Sequence, residues 1–236
     1  MPDNKQEMNI QWYPGHMTKT RRMIQRQLKN MDAVCEILDA RIPISSRNPD
    51  VEELTAGKPR LVVLNRIDIA DSDATRTWAA WFRSKGFAVL EVNAKDGQGT
   101  ARFAAAVREL LADKLAAYAE KGQVGRTVRV MIFGIPNVGK STFINKVAKR
   151  KTAKAEDRPG VTRTQQWVPV DRSLELMDTP GMLWPKFDDP QVGLHLAFTG
   201  AVRDEIMDTE TLACRLMELL AQRYPAAALT LPGGTP

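Results

Sequence analysis

The octapeptide GIPNVGKS, Gly134 to Ser141, has the residue types and spacing that hold a phosphate chain. An apolar run, VRVMIF, precedes it and a helical stretch, STFINKVAKR, follows it. In that setting the backbone N–H groups of Asn137, Val138, Gly139, Lys140, Ser141 and Thr142, together with the helix N-terminus, can surround phosphate oxygens. Glycine is needed where a side chain would block the approach, as at Gly134 and Gly139. Lys140 is expected to reach the terminal phosphates and Ser141 to ligate Mg²⁺. A phosphate-bound metal also calls for a carboxylate on a later strand. DTPG, Asp178 to Gly181, closes the run LELMD, placing Asp178 to hold Mg²⁺ through water and the Gly181 N–H to meet a γ-phosphate. RPGVTRT, Arg158 to Thr164, is a polar segment able to order around the metal with the Thr162 hydroxyl as a further ligand.

A second set of residues, earlier in the chain, suits a purine. LNRID, Leu64 to Asp68, ends an apolar run, and ligands bind at the carboxyl ends of strands in open parallel sheets. The Asp68 carboxylate can accept both N1–H and N2–H₂ of guanine, a pairing that adenine does not offer, and Asn65 can bond the other base edge. In VNAKDG, Val92 to Gly97, the backbone around Asn93, Ala94 and Lys95 is placed to close over the base. Base-reading motifs thus precede phosphate-binding ones. Such a rotation reconnects strands within one sheet and leaves the site's geometry untouched, so the order reads as a circularly permuted GTPase.

These motifs need a scaffold of alternating strands and helices. Candidate strands are Ala33–Ala40, Arg60–Asn65, Ala88–Ala94, Val128–Gly134, Gln166–Val170 and Leu174–Asp178, short runs rich in Val, Ile and Leu. Apolar residues recur at three and four over Ser72–Lys85 and Gly99–Glu120, which predicts helices there. The pattern turns all-helical after Asp189, over Pro190–Arg203 and Thr209–Arg223, ahead of a Pro- and Gly-rich tail expected to be disordered. The expected fold is α/β: a three-layer P-loop GTPase with a permuted, parallel-type sheet flanked by helices. Residues 1–188 are expected to form the GTPase domain, and 189–236 a short C-terminal helical domain, either a natural short form or a truncated one.

With 236 residues, 43% of them hydrophobic, the chain can bury one substantial core. A net charge of +6 suits a polyanionic partner. Basic residues gather in two runs: Lys19, Arg21, Arg22, Arg26 and Lys29, then Lys146, Lys149, Arg150, Lys151, Lys154 and Arg158. Runs flanking a nucleotide site favour a phosphate-rich surface. Cys35 and Cys214 lack ligand spacing and read as buried free thiols of a reducing cytosol. No targeting or membrane-spanning pattern is evident, so a cytoplasmic location is expected.

The motifs WYPGHMTKTRR (Trp12–Arg22), DARIPISSRNP (Asp39–Pro49), LNRID, GIPNVGKST, RPGVTRTQQW and DTPGMLWPK, in this order, resemble the permuted ribosome-biogenesis GTPases of the YlqF/RbgA family from Gln11 to about Tyr224. The resemblance implies a GTPase of late large-subunit maturation that binds ribosomal RNA, with GTP or GDP and Mg²⁺ as ligands and a monomeric state in solution. Arg66 departs from the family's usual Lys in the guanine motif; its aliphatic stem can still cover the base. Met182 and Leu183 follow DTPG where many GTPases carry a water-positioning Gln, and neither can orient water. The resemblance assigns the catalytic role to His16. Asn137 stands where cation-dependent GTPases hold K⁺ between loop carbonyls and phosphates. Two rival readings remain: an ATPase or nucleotide kinase, against which Asp68 speaks, and an RNA- or ribosome-binding module with a structural nucleotide and little intrinsic hydrolysis.

Overall fold

The computed structural model describes residues 16–123, 125–149, 166–184, 187, 189–202 and 208–225, with side chains from residue 21 onward. His16 is thus described only as the first backbone position of a helix. Lys19 is likewise described only by its backbone in that helix, and Thr162, the RPGVTRT segment, Arg150, Lys151, Lys154 and the C-terminal tail lie outside the described residues.

Six strands form one sheet: β1 (Ala33–Asp39), β2 (Arg60–Asn65), β3 (Ala88–Val92), β4 (Val128–Phe133), β5 (Gln166–Asp171) and β6 (Leu174–Asp178), in the spatial order β3-β2-β1-β4-β6-β5. All neighbours run parallel except β5 and β6, which pair antiparallel. β1, β2 and β4 lie inside the sheet, and their near-continuous burial explains why they read as apolar runs without alternation. β5 alternates buried and open positions because it is an edge strand, and only a short turn joins it to β6.

Among the described residues eight α-helices cover the sheet: α1 (His16–Leu28), α2 (Pro49–Leu54), α3 (Ser72–Ser84), α4 (Phe103–Leu110), α5 (Ala112–Glu120), α6 (Lys140–Val147), α7 (Pro190–Phe198) and α8 (Thr209–Arg223). Several start at the caps their sequences carry. Asn48 with Pro49 opens α2, Asp71 opens α3, Asp189 with Pro190 opens α7 and Asp208 opens α8, each side-chain oxygen accepting from a first-turn N–H. One cluster buries α4 and α6 against the sheet around Phe103 and Phe143, whose rings meet edge to face at 5.3 Å. A second packs Ile24 and Leu28 of α1 onto Val34, Met131 and Phe133.

Three expectations change. The helix read over Gly99–Glu120 is a 3-10 turn followed by α4 and α5, broken at Leu111, whose backbone leaves helical space while its side chain stays in the core. The break lets α5 bring Lys114 and Tyr118 onto the buried Asp32 carboxylate, at 2.8 and 3.3 Å. α7 ends at Phe198, ahead of the expected Arg203, as Gly200 takes a positive φ of 71° and the chain turns back. Cys35 is buried as expected, but Cys214 is exposed on α8.

Candidate nucleotide site

The chain runs from β1 outward through β2 and β3, then returns to place β4 on the other side of β1. The crevice at the carboxyl ends of β1 and β4 is therefore a topological switch point, the place where open α/β sheets bind ligands. All the described motifs converge on this edge. β2 ends in Asn65, β3 leads into Asn93, β4 leads into Gly134 and β6 ends in Asp178.

The phosphate loop is shaped by close approaches. At Gly139 (φ 96°) an added Cβ would fall 2.5 Å from Asn65 Nδ2, and at Gly134 it would fall 2.8 Å from the Ile37 carbonyl. A side chain at Gly181 would meet the Pro136 backbone at 2.8 Å and Lys140 Nζ at 3.1 Å, so the DTPG segment lies directly against the loop. Two further bonds pin it there: Thr179 Oγ1 donates to the Ile132 carbonyl at 2.6 Å, and the Met182 N–H to the Gly134 carbonyl at 3.2 Å.

Lys140 is buried at the start of α6, donating to the carbonyls of Gly134 (3.2 Å) and Ile135 (3.0 Å). Burial pushes its pKa down to about 8, partly offset by the nearby Asp178. Asp178 shows the mirror effect: burial raises its carboxyl, while Lys140, the Thr179 N–H and the Ser141 hydroxyl pull it back. Its Oδ1 is buried with no hydrogen-bond partner. A cation held in by carbonyls, beside a carboxylate with an unsatisfied oxygen and a hydroxyl, fits a phosphate chain with Mg²⁺. Ser141 and Asp178 are the described residues that would hold the metal.

The base-reading half is tied to this loop. Asn65 Nδ2 donates to the Val138 carbonyl at 2.8 Å, while its Oδ1 accepts from the Ala94 N–H at 3.0 Å. Arg66 Nη2 donates to the Asn137 carbonyl at 2.5 Å. Asp68 is exposed within the 3-10 turn Ile67–Ile69 that follows. Lys146 of α6 reaches the Asp96 carbonyl at 3.4 Å, closing the link between α6 and the third loop.

The Asn65 amide is a strut between two loops, as a buried amide at a strand end finds backbone partners, and its nitrogen carries a second hydrogen beyond the one given to Val138. The N–H groups of Ala94 and Lys95 pair with Asn65 Oδ1 and Asn93 Oδ1, which fixes the backbone of this third loop. The side chain of Asn137 donates from Nδ2 to the Gly200 carbonyl at 2.8 Å, which ties the turn after α7 to the phosphate loop.

The family described as 50S ribosome-binding GTPase matches residues 129–217. Ribosome biogenesis GTPase A of Bacillus cereus is 50% identical over 218 residues, covering 92% of this chain and 74% of its own length. That of Bacillus licheniformis is also 50% identical, over 92% of this chain and 77% of its own. The chain belongs to the ribosome biogenesis GTPase A (YlqF/RbgA) family. The fold agrees: a crystal structure of GNP-bound YlqF from T. maritima, 26% identical, superposes with a TM-score of 0.62 over 86% of this chain and 75% of that one.

Within this YlqF/RbgA chain, one charged cluster at the site has no assignment from motif reading. Asp39, at the end of β1, and Arg41 belong to the DARIPISSRNP segment, and their carboxylate and guanidinium form a bidentate pair at 2.9 and 2.7 Å. A charged residue closing a buried, largely apolar strand was the available signal, since its neighbours in the sheet end in Asn65 and in the phosphate loop.

Proposed function

We propose that this chain binds and hydrolyses GTP as an assembly factor of the large ribosomal subunit, binding ribosomal RNA as a monomer in the cytoplasm. Membership of a GTPase family of ribosome biogenesis supports the general reading. The observation that carries it is the pair of bonds from Asn65 and Arg66 to the Val138 and Asn137 carbonyls, which joins base-reading and phosphate-binding loops distant in sequence into one site. No helix among the described residues is long and apolar enough to cross a membrane.

In this reading Lys140 and the loop N–H groups bind the β- and γ-phosphates, and Asp68 accepts the guanine N–H groups. Ser141, Asp178 and Thr162 would hold Mg²⁺, which would supply positive charge to offset that on the phosphoryl oxygens. Water attacks the γ-phosphorus in line, the bond to the bridging oxygen breaks, and GDP and phosphate leave. Met182 and Leu183 are buried and apolar, so the residue that orients the water comes from elsewhere, and His16 takes that role. GTP turnover by wild type is expected to rise with purified large subunits, and His16→Ala to lower the stimulated rate by about 100-fold. Equal stimulated rates would remove His16 from the mechanism, and no stimulation would count against the ribosomal role.

Asn137 Nδ2 is engaged with Gly200, which leaves Oδ1 to face a cation beside the phosphates. Hydrolysis is expected to be about tenfold faster in K⁺ than in Na⁺ at equal ionic strength. Matching rates would leave Asn137 a purely structural role. Arg22, Arg26, Lys29, Lys146 and Lys149 are exposed and supply a cationic surface for RNA, whereas Arg21 is paired with Glu53 at 2.9 Å. The domain division at residue 188 stays part of this proposal. Asn137 to Gly200 gives the phosphate loop a route to the turn after α7, and Asn48 to the Met182 carbonyl (3.2 Å) ties the segment after DTPG to the start of α2.

A further inference from the structure

The site as read so far gives no task to the Asp39 carboxylate, which is only 2% exposed at the crevice between β1 and β4. A carboxylate this buried persists when its charge is met, and Arg41 makes the hydrogen bonds that meet it: the Arg41 N–H reaches Oδ1 at 3.0 Å, and its guanidinium spans both oxygens. Yet a second guanidinium lies beside it. Arg66 Nε stands 3.8 Å from Oδ2, while Nη2 of the same side chain reaches the Asn137 carbonyl at 2.5 Å. A planar guanidinium presents these two nitrogens in different directions, so one side chain serves the carboxylate and the phosphate loop together. A lysine offers a single Nζ.

The backbone marks the same connection. Arg66 and Asn137 have positive φ, 67° and 56°, and Lys149 is the one other non-glycine among the described residues that does. Such backbone is uncommon without glycine and persists where surrounding contacts impose it. Arg66 leads straight into the turn carrying Asp68, and Asn137 opens the cradle, so a bond between them couples the position of the base reader to that of the phosphate loop. Arg41 adds to this, because its guanidinium is held up by Asp39 and also by the charge of Asp68.

We propose that Asp39 is a positioning residue for nucleotide binding: it holds Arg66 against the Asn137 carbonyl and so fixes the spacing between the guanine end and the phosphate end of the site. This rests on the guanine-nucleotide reading above. Loss of the hold loosens both ends together and speeds nucleotide release.

The test is displacement of a fluorescent GDP derivative by excess GDP, with Mg²⁺, from the full chain. Asp39→Asn and Arg66→Ala are each expected to release it about tenfold faster than wild type. In the double variant the Asp39→Asn change adds less than about twofold to Arg66→Ala, since both remove one device. A purely structural role for Asp39 would instead leave its effect undiminished in the Arg66→Ala background, which overturns the proposal. Should Asp39→Asn fail to fold because Arg41 loses its partner, Arg66→Ala decides alone, its side chain being 31% exposed. A wild type that retains GDP while Arg66→Ala releases it at the same rate overturns this inference only. A wild type that holds no GDP overturns the nucleotide reading as well.

Discussion

Lys140→Ala is expected to abolish measurable GTP turnover and to erase the thermal stabilisation that GDP gives the wild type. Lys140 is a buried ammonium whose pKa burial lowers to about 8, held by two carbonyls and the Asp178 charge. A phosphate chain would add further anionic charge at close range. Truncating one member of a desolvated charge pair typically costs a few kcal/mol, which corresponds to at least about 100-fold in affinity. At a GDP concentration about 100 times the wild-type Kd, the wild type gains about 2.7 kcal/mol, and a variant binding 100-fold more weakly retains about 0.4 kcal/mol. For a chain of this size the wild-type gain corresponds to roughly 5–10 °C in Tm. Each protein's shift relative to its own nucleotide-free Tm, followed by differential scanning fluorimetry, checks the expectation. A full GDP shift in Lys140→Ala would remove the lysine from the site.

Asp68→Asn is expected to exchange the preferred base. A carboxylate accepts two hydrogen bonds and so matches the N1–H and N2–H₂ of guanine. An amide presents one acceptor and one donor, the complement of xanthine, which keeps N1–H and carries a carbonyl at C2. A site built to pair with particular polar groups rejects a mismatched ligand strongly, because its own groups are then left unpaired. The kcat/KM for GTP should fall by roughly 100- to 1,000-fold and that for XTP rise above it. Asp68 is exposed in the short turn after β2, so the variant should melt close to where the wild type does. A variant that still prefers GTP would show that another residue reads the base.

The sheet could be read from the chain to within a residue or two, because strands buried on both faces appear as apolar runs with little alternation. Leu61 to Leu64 shows why, being almost wholly buried, and in Val34 to Leu38 only the buried Glu36 interrupts the run. The helix starts at Ser72, Pro190 and Thr209 were legible from the periodic stretches, and the structure caps them with Asp71, Asp189 and Asp208. The break at Leu111 was not, since nothing in ELLADK differs from a continuing helix; the cause is a tertiary one, the pull of Asp32 on Lys114 and Tyr118. The same division runs through the site. Gly134, Lys140, Ser141 and Asp178 follow from local chemistry and spacing. The tie from Asn65 to Val138, the crossing of Arg66 to Asn137 and the pairing of Asp39 with Arg41 depend on β1 lying between β2 and β4, a placement that motif spacing along the chain does not contain.

The most direct measurement is a crystal structure of this chain with GDP and Mg²⁺. It should show guanine N1 and N2 within hydrogen-bonding distance of the Asp68 carboxylate, with the β-phosphate of the same nucleotide on Lys140 Nζ and the loop N–H groups. A nucleotide whose base lies away from Asp68 while its phosphates occupy the loop would contradict the account that the reordered chain assembles one guanine-nucleotide pocket.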